Sequence, residues 1–273
     1  MLCVARFVAF GALFGAAFGT AAAAAQSSYQ VITLTEAGSI KGTVKWSGPA
    51  PQAPDFPITK DTSVCDPDSV HRADLERLMV GPQGGVANTV VYLKDISRGK
   101  AVNLPESRRF LDQKRCRYEP HILLVPIDEE LKMMSSDATL HTVHMTGAAS
   151  LNLPFPFQNQ ITSRKLPGLG EAHLRCNGGH VWMNAEMFVV QHPYYAVTGP
   201  NGNFELTDVP PGDYELVAWH EGWTVLGQEN SIDVLTQQRV GRPIFSEPKT
   251  WEKKVSVTKD TATPVNFVLS GKW

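Results

Sequence analysis

The stretch HLRCNGGHVWMNAEMFVV, residues 173–190, places a thiol (Cys176), an imidazole (His180) and a thioether (Met183) within eight residues, directly ahead of a β-branched, apolar run. All three are metal-ligating groups, and soft sulfur beside imidazole is the donor mixture that suits copper. Gly178 and Gly179 free the backbone between Cys176 and His180 to curl, so a loop closed by two strands can present all three groups together. Three such ligands leave a fourth position open. Upstream, LHTVHM offers His141 and His144. Residues three apart on a strand point to opposite faces, so only one of these two can face the loop.

Outward from this stretch, short β-branched and aromatic runs punctuated by Gly, Pro and Asn predict an all-β protein. They include GSIKGTVKW, ANTVVYLKDI, HILLVPI, ELKMMSS, NFELTDV, DYELVAWHE and TPVNFVLS. The clusters GPNGNF and VPPGDY read as turns between paired strands. One segment, DSVHRADLERLMV (residues 68–80), predicts one or two helical turns capped by Asp68 or Ser69.

The chain opens MLCVARFVAFGALFGAAFGTAAAAAQSS, a single Arg and an apolar run from Phe7 to Ala25 before a polar break. Ala23-Ala24-Ala25 is the small-residue ending that a signal peptidase accepts. Residues 1–25 are therefore expected to be a signal peptide, Cys3 to leave with it, and the mature protein to be periplasmic or secreted. A retained membrane anchor is the alternative, although Ala and Gly insert weakly. About 245 residues then remain, enough for one large β domain or two smaller ones. Lys and Arg number 25 against 27 Asp and Glu, with no long basic run, which gives nucleic acid or an anionic membrane no footing as partner. No other apolar run is long enough to cross a bilayer, so no membrane contact is expected after cleavage.

Three cysteines remain in an oxidising compartment. Pairing Cys65 with Cys116 closes a loop of about fifty residues, worth roughly 4 kcal/mol, and leaves Cys176 as a thiol. The competing reading is a second metal site built from CRYEPH, with Cys116 and His121 helped by His71.

TGPNGNFELTDVPPGDYELVAWHEGW, together with IKGTVKWSG, NTVVYL and KKVSVTKDTATPVNFVLS, resembles a carboxypeptidase regulatory-like domain, a small prealbumin-like β-sandwich. PHILLVPIDEELKMMSSDATLHTVHM followed by CNGGHVWM resembles a cupredoxin, and the whole order is similar to exported bacterial proteins that join the two. The resemblance implies a regulatory-like sandwich from 29–103 and 191–273, with a cupredoxin-like Greek-key domain at 104–190 inserted into it. Two sandwiches in tandem, divided near His192, are the alternative layout. The resemblance also implies that His141, directly after the polar turn Ser135-Ser136-Asp137, is the first ligand, with His144 as the alternate, and that Cys176, His180 and Met183 complete a site for one copper per chain. The family turn is richer in Asn and its loop usually one residue shorter, which implies altered geometry here. Asn177 and the following amides are expected to donate to the sulfur.

A blue-copper site of this kind serves single-electron transfer, with the imidazole edge of His180 as exit path and an exported partner such as a c-type cytochrome or a copper enzyme. Trp182 is expected to shield the site or to offer a docking surface. Copper carriage without electron transfer and a non-catalytic β-sandwich scaffold are the rival functions, and zinc the rival metal. Enzymatic catalysis is not expected: the chain has no Gly-x-Ser-x-Gly elbow, phosphate loop, His-Glu-x-x-His helix or His-x-His pair. His173 is expected to face away from Cys176, and His192 and His220 to be hydrogen-bonded at strand ends.

Overall fold

The computed structural model describes residues 29–52 and 54–271, so the expected signal peptide lies outside the described residues. The chain is all-β: among these residues the four-residue α-helix Thr62–Cys65 and the 3-10 turn Glu106–Arg109 are the only helical elements. No helix among them is long and apolar enough to cross a membrane.

Residues 68–80 are not helical. They run irregularly around the short strand Arg72–Asp74. The Asp66 carboxylate accepts the N–H groups of Val70 and His71 at 2.7 and 2.8 Å, Asp74 accepts that of Glu76 at 2.8 Å, and Ser69, His71 and Glu76 have positive φ. Local side-chain acceptors thus take the donors that a helix would need.

Two sandwiches make up the fold. Strands between Phe110 and Val190 pair only with one another: a five-stranded sheet in the order 151–155, 141–147, 170–175, 184–190, 122–126 faces a four-stranded sheet in the order 162–165, 130–135, 110–114, 117–119. The second sandwich takes strands from both sides of that segment. Gly38–Ser47 pairs with Asn203–Val209 and with the C-terminal strands Ala262–Pro264 and Phe267–Ser270, while Val90–Lys94 pairs with Tyr195–Val197 and Gly212–His220. Alternating burial in Glu130–Ser135 and Asn203–Val209 shows strands with one face in a core and one in water.

Ile122–Pro126 and Asn184–Val190 break that alternation, being buried along nearly their whole length. One face of each joins the core around Leu123, Val143 and Met187; the other meets the second sandwich through Val90, Ile122, Leu124, Phe188, Val190 and Trp219. The unbroken apolar runs HILLVP and MFVV are the sequence record of this double burial.

Val225–Ile232 and Arg239–Phe245 form a further antiparallel hairpin, absent from the predicted strands. It lies over the 176–183 loop, where the Val234 N–H donates to the Asn177 carbonyl at 3.3 Å.

Candidate metal centre

Cys176 follows the strand Gly170–Arg175, and His141 opens the antiparallel strand beside it. The neighbouring strand therefore delivers the Thr142 N–H to Cys176 Sγ at 3.4 Å, and the loop delivers the Gly178 N–H at 3.3 Å. The loop closes on itself: Met183 N–H donates to the His180 carbonyl at 3.0 Å, and Cys176 N–H to the Met183 carbonyl at 3.4 Å. Gly179, at φ +92°, is required here, since a Cβ would come within 2.5 Å of the Asp233 carboxylate and 2.8 Å of Lys60 Nζ, two groups that are themselves ion-paired.

The two imidazoles converge on the sulfur. Ligand atoms of His141, Cys176 and His180 all lie within 4.8 Å of one another, with His141 Nδ1 3.2 Å from His180 Nδ1 and Cys176 Sγ 3.8 Å from His180 Nδ1. The outer nitrogens are held by carboxylates: His141 Nε2–H donates to Asp137 Oδ2 and His180 Nε2–H to Asp61 Oδ2, each at 2.9 Å. Asp137 is itself anchored by the N–H groups of Arg115 and Cys116, and Asp61 by the Thr139 hydroxyl. Carboxylates on the outer nitrogens turn both Nδ1 atoms inward, the arrangement by which a protein orients imidazole ligands.

All three convergent residues are fully buried. Burial opposes charge on His141, but the Asp137 carboxylate and the Cys176 sulfur outweigh it and raise the imidazolium pKa to about 9. Burial likewise opposes a thiolate, yet His141 and His180 hold the Cys176 thiol well below its ordinary value. Asp137 lies below the usual carboxylate range for the same reason: burial is overcome by His141 and the two backbone donors. A thiolate stabilised by two amides and faced by two inward Nδ1 atoms is a donor set that copper fits.

Met183 is buried at the end of the loop, in the same core as Cys176. His144 does not join the cluster; its Nδ1 accepts from Arg175 Nε at 2.9 Å. Asn177 is not a donor to the sulfur, because its N–H goes to the Thr142 hydroxyl at 2.7 Å. His180 presents no free edge: its ring is fully buried and its outer nitrogen lies against Asp61. Trp182 is buried as well, standing edge-on to His180 with centroids 5.5 Å apart, and its indole N–H donates to the Cys116 carbonyl, so it shields and does not dock.

Cys65 and Cys116 form a disulfide, which excludes their use as separate thiols in a second site while it stands. His121 is bonded to Glu221 and His71 to Asp66. His173 faces Glu186 at 2.5 Å, and His220 Nδ1–H donates to the Glu221 carbonyl at 2.8 Å. His192 differs from expectation: it stacks on Tyr195 at 4.8 Å, and its Nδ1 has no partner among the described residues.

Four residues that complete the centre were not singled out in the sequence: Asp61, Asp137, Asp233 and Arg242. Asp137 stands four before His141 in the polar turn already noted and was findable there. The others are 50 or more positions from their partners in the loop or the first-histidine strand and carry no local signal.

Residues 190–242 match the family model of the BOS complex subunit NOMO1-like second beta-sandwich domain. No curated protein matches. Among solved structures, a copper-containing nitrite reductase from Thermus scotoductus is similar at 14% identity over 30% of this chain and 22% of its own, TM-score 0.28. A reduced tryptophan-to-tyrosine mutant of amicyanin is similar at 22% identity over 32% of this chain and 87% of its own, TM-score 0.28. A purple cupredoxin from Nitrosopumilus maritimus is similar at 14% identity over 30% of this chain and 98% of its own, TM-score 0.26. The chain thus spans less than a quarter of the nitrite reductase's length.

Proposed function

We propose that this is an exported mononuclear copper protein, periplasmic or secreted, that passes single electrons and is not itself an enzyme. One observation carries the reading: two inward Nδ1 atoms and a buried sulfur that accepts two backbone N–H groups lie within 4.8 Å of one another. Copper bound by such a set supplies reversible one-electron chemistry at a thiolate-ligated ion. His141, Cys176 and His180 would hold the ion, with Met183, buried in the same core, as the fourth candidate donor, while Asp137 and Asp61 fix the two rings. Burial of the whole set excludes water. The partner is an exported redox protein of the c-type cytochrome or copper-enzyme class.

Copper carriage is the second reading. It is favoured by the burial of His180 beneath Asp61, which leaves no imidazole edge at the surface for electron exit.

Titration of Cu(II) into the metal-free protein, followed by visible and electron spin resonance spectra, tests both. An intense thiolate-to-copper band at one copper per chain, absent in Cys176→Ser and reversibly bleached by reductant, is the expected result. Binding only as Cu(I) moves the assignment to carriage, and no binding leaves the scaffold function.

A further inference from the structure

His141, Cys176 and His180 are fully buried, so neither an ion nor a small reagent reaches their donor atoms unless part of the protein moves. Most of the surround is fixed. His141 and Cys176 stand at the ends of paired strands, Asp137 is held by two backbone N–H groups, and the short helix after Asp61 is tied to the core by the Cys65–Cys116 disulfide. The tip of the 225–245 hairpin, residues 232–238, is held differently. Neither hairpin strand pairs with a strand of either sandwich. Among the described residues, the Lys60–Asp233 ion pair and the 3.3 Å bond from the Val234 N–H to the Asn177 carbonyl are the only polar contacts from the tip to anything outside the hairpin. Its large apolar chains, Ile232, Val234 and Leu235, are exposed, so lifting the tip uncovers little apolar surface. Within the tip, Asp233 Oδ1 accepts the N–H groups of Leu235 and Thr236, which makes the turn a unit. Beneath it the wall over the donors is one backbone thick. A Cβ on Gly178 would lie 3.3 Å from Cys176 Sγ and 3.8 Å from His180 Nδ1, whereas one on Gly179 would lie 2.5 Å from the Asp233 carboxylate. One glycine thus faces the donors and the next faces the tip.

We propose that residues 232–238 are a latch on the metal centre: release of Asp233 from Lys60 and of Val234 from Asn177 lets the tip lift, frees the Gly178–Gly179 wall to turn aside, and opens the route by which metal enters and leaves. The inference rests on the metal-binding reading above. Arg242, on the strand Arg239–Phe245 beyond the tip, stays bonded to the Cys176 carbonyl, so the loop keeps its place while the tip moves. Glycines suit such a wall because they turn through φ and ψ ranges closed to other residues. The latch supplies no ligand. It sets how fast the centre exchanges its ion, and not how tightly the ion is held.

Iodoacetamide is the probe, applied to the metal-free protein, with the adduct on the Cys176 peptide followed by mass spectrometry. Alkylation through a lifted tip should be nearly independent of urea at low concentration, because local opening exposes little surface, whereas alkylation through global unfolding should climb with the full urea slope. Lys60→Met strips the Asp233 carboxylate of its cation and should speed Cys176 alkylation roughly tenfold, while Lys60→Arg should stay near the wild type. A rate that climbs with urea as steeply as global unfolding, or one that Lys60→Met leaves unchanged, overturns the latch. If Lys60→Met fails to fold by circular dichroism, hydrogen exchange of the wild type carries the test: the Val234 N–H should exchange by the same urea-insensitive opening, and its exchange only through global unfolding overturns the latch. A Cu(II) titration of the same protein separates the two ideas. A Cys176-dependent band, with Cys176 alkylated only through global unfolding, removes the latch and leaves the copper function. No such band, with local and Lys60-dependent alkylation, removes the copper function and keeps the latch over a buried thiol.

Discussion

Arg242 Nη2 donates to the carbonyl oxygen of Cys176 at 2.6 Å, which ties the 225–245 hairpin to the residue at the heart of the metal centre. Arg242 is 6% exposed, and its other hydrogen bonds, at 3.5 Å, go to the neutral oxygens of Asn177 and Ser231. Burial and the nearby Arg175 charge lower its pKa, while the Cys176 sulfur pulls it the other way. The Cys176 sulfur, Tyr118 and Glu229 are the groups that favour its charge.

Replacing it by an isosteric apolar chain, Arg242→Met, removes that cation. The Cys176 thiol pKa should rise in the metal-free protein, read from thiolate ultraviolet absorbance against pH. Loss of a charge-assisted bond should also cost about 2 kcal/mol in urea unfolding. An unchanged thiol titration would show that the arginine braces the loop without polarising the sulfur.

Asp137→Asn leaves the turn's shape but weakens the acceptor for His141 Nε2–H. The His141 pKa, now about 9, should fall toward its ordinary value, as followed by nuclear magnetic resonance of the metal-free protein. Since the raised pKa stabilises the fold below the unfolded value of about 6.5 and that contribution disappears as pH rises through about 9, the variant should lose stability mainly on the neutral and acid side. Copper affinity should drop about 10- to 100-fold, the usual effect of losing a carboxylate behind a ligating imidazole.

His192 supplies an independent pH test away from the metal. Burial holds its pKa down to about 4. Between about 6.5 and 4 the unfolded chain binds a proton that the native chain refuses, so stability falls as pH drops through that window, by at most about 3 kcal/mol from this group. In His192→Phe, which keeps the ring against Tyr195, urea midpoints at pH 7 and pH 4.5 should lie closer together than in the wild type.

Gly179→Ala should destabilise the protein by about 1–3 kcal/mol, because the residue sits at positive φ and the added carbon meets the Lys60–Asp233 pair. Thermal melts of the metal-free protein, alone and with Asp233→Ala added, check the cause: the second substitution should recover part of the loss.

Trp219 packs edge-on against Phe188 with centroids 4.9 Å apart, where the two sandwiches meet. Trp219→Ala should cost about 3–5 kcal/mol and give two resolved calorimetric steps where the wild type should give one.

The strand content was legible because each core strand writes its burial into its own residues: the period of two in Glu130–Ser135 and the doubly buried run at Ile122–Pro126 need no distant partner to be recognised. The 176–183 loop was legible for the same reason, its thiol, glycines and imidazole lying within one local segment. The false helix at residues 68–80 shows the limit of local pattern: Asp66 and Asp74 capture the amides that the pattern assigned to helical bonds. Which upstream histidine faces the sulfur, what holds the outer nitrogens, and that Arg242, Asp233 and the Cys65–Cys116 bridge crowd the same centre were decided only when strands far apart in the chain paired. Ligand chemistry is a property of residue type and short spacing, which a sequence carries; orientation, shielding and charge balance depend on atoms brought within a few ångströms by long-range pairing, which it does not.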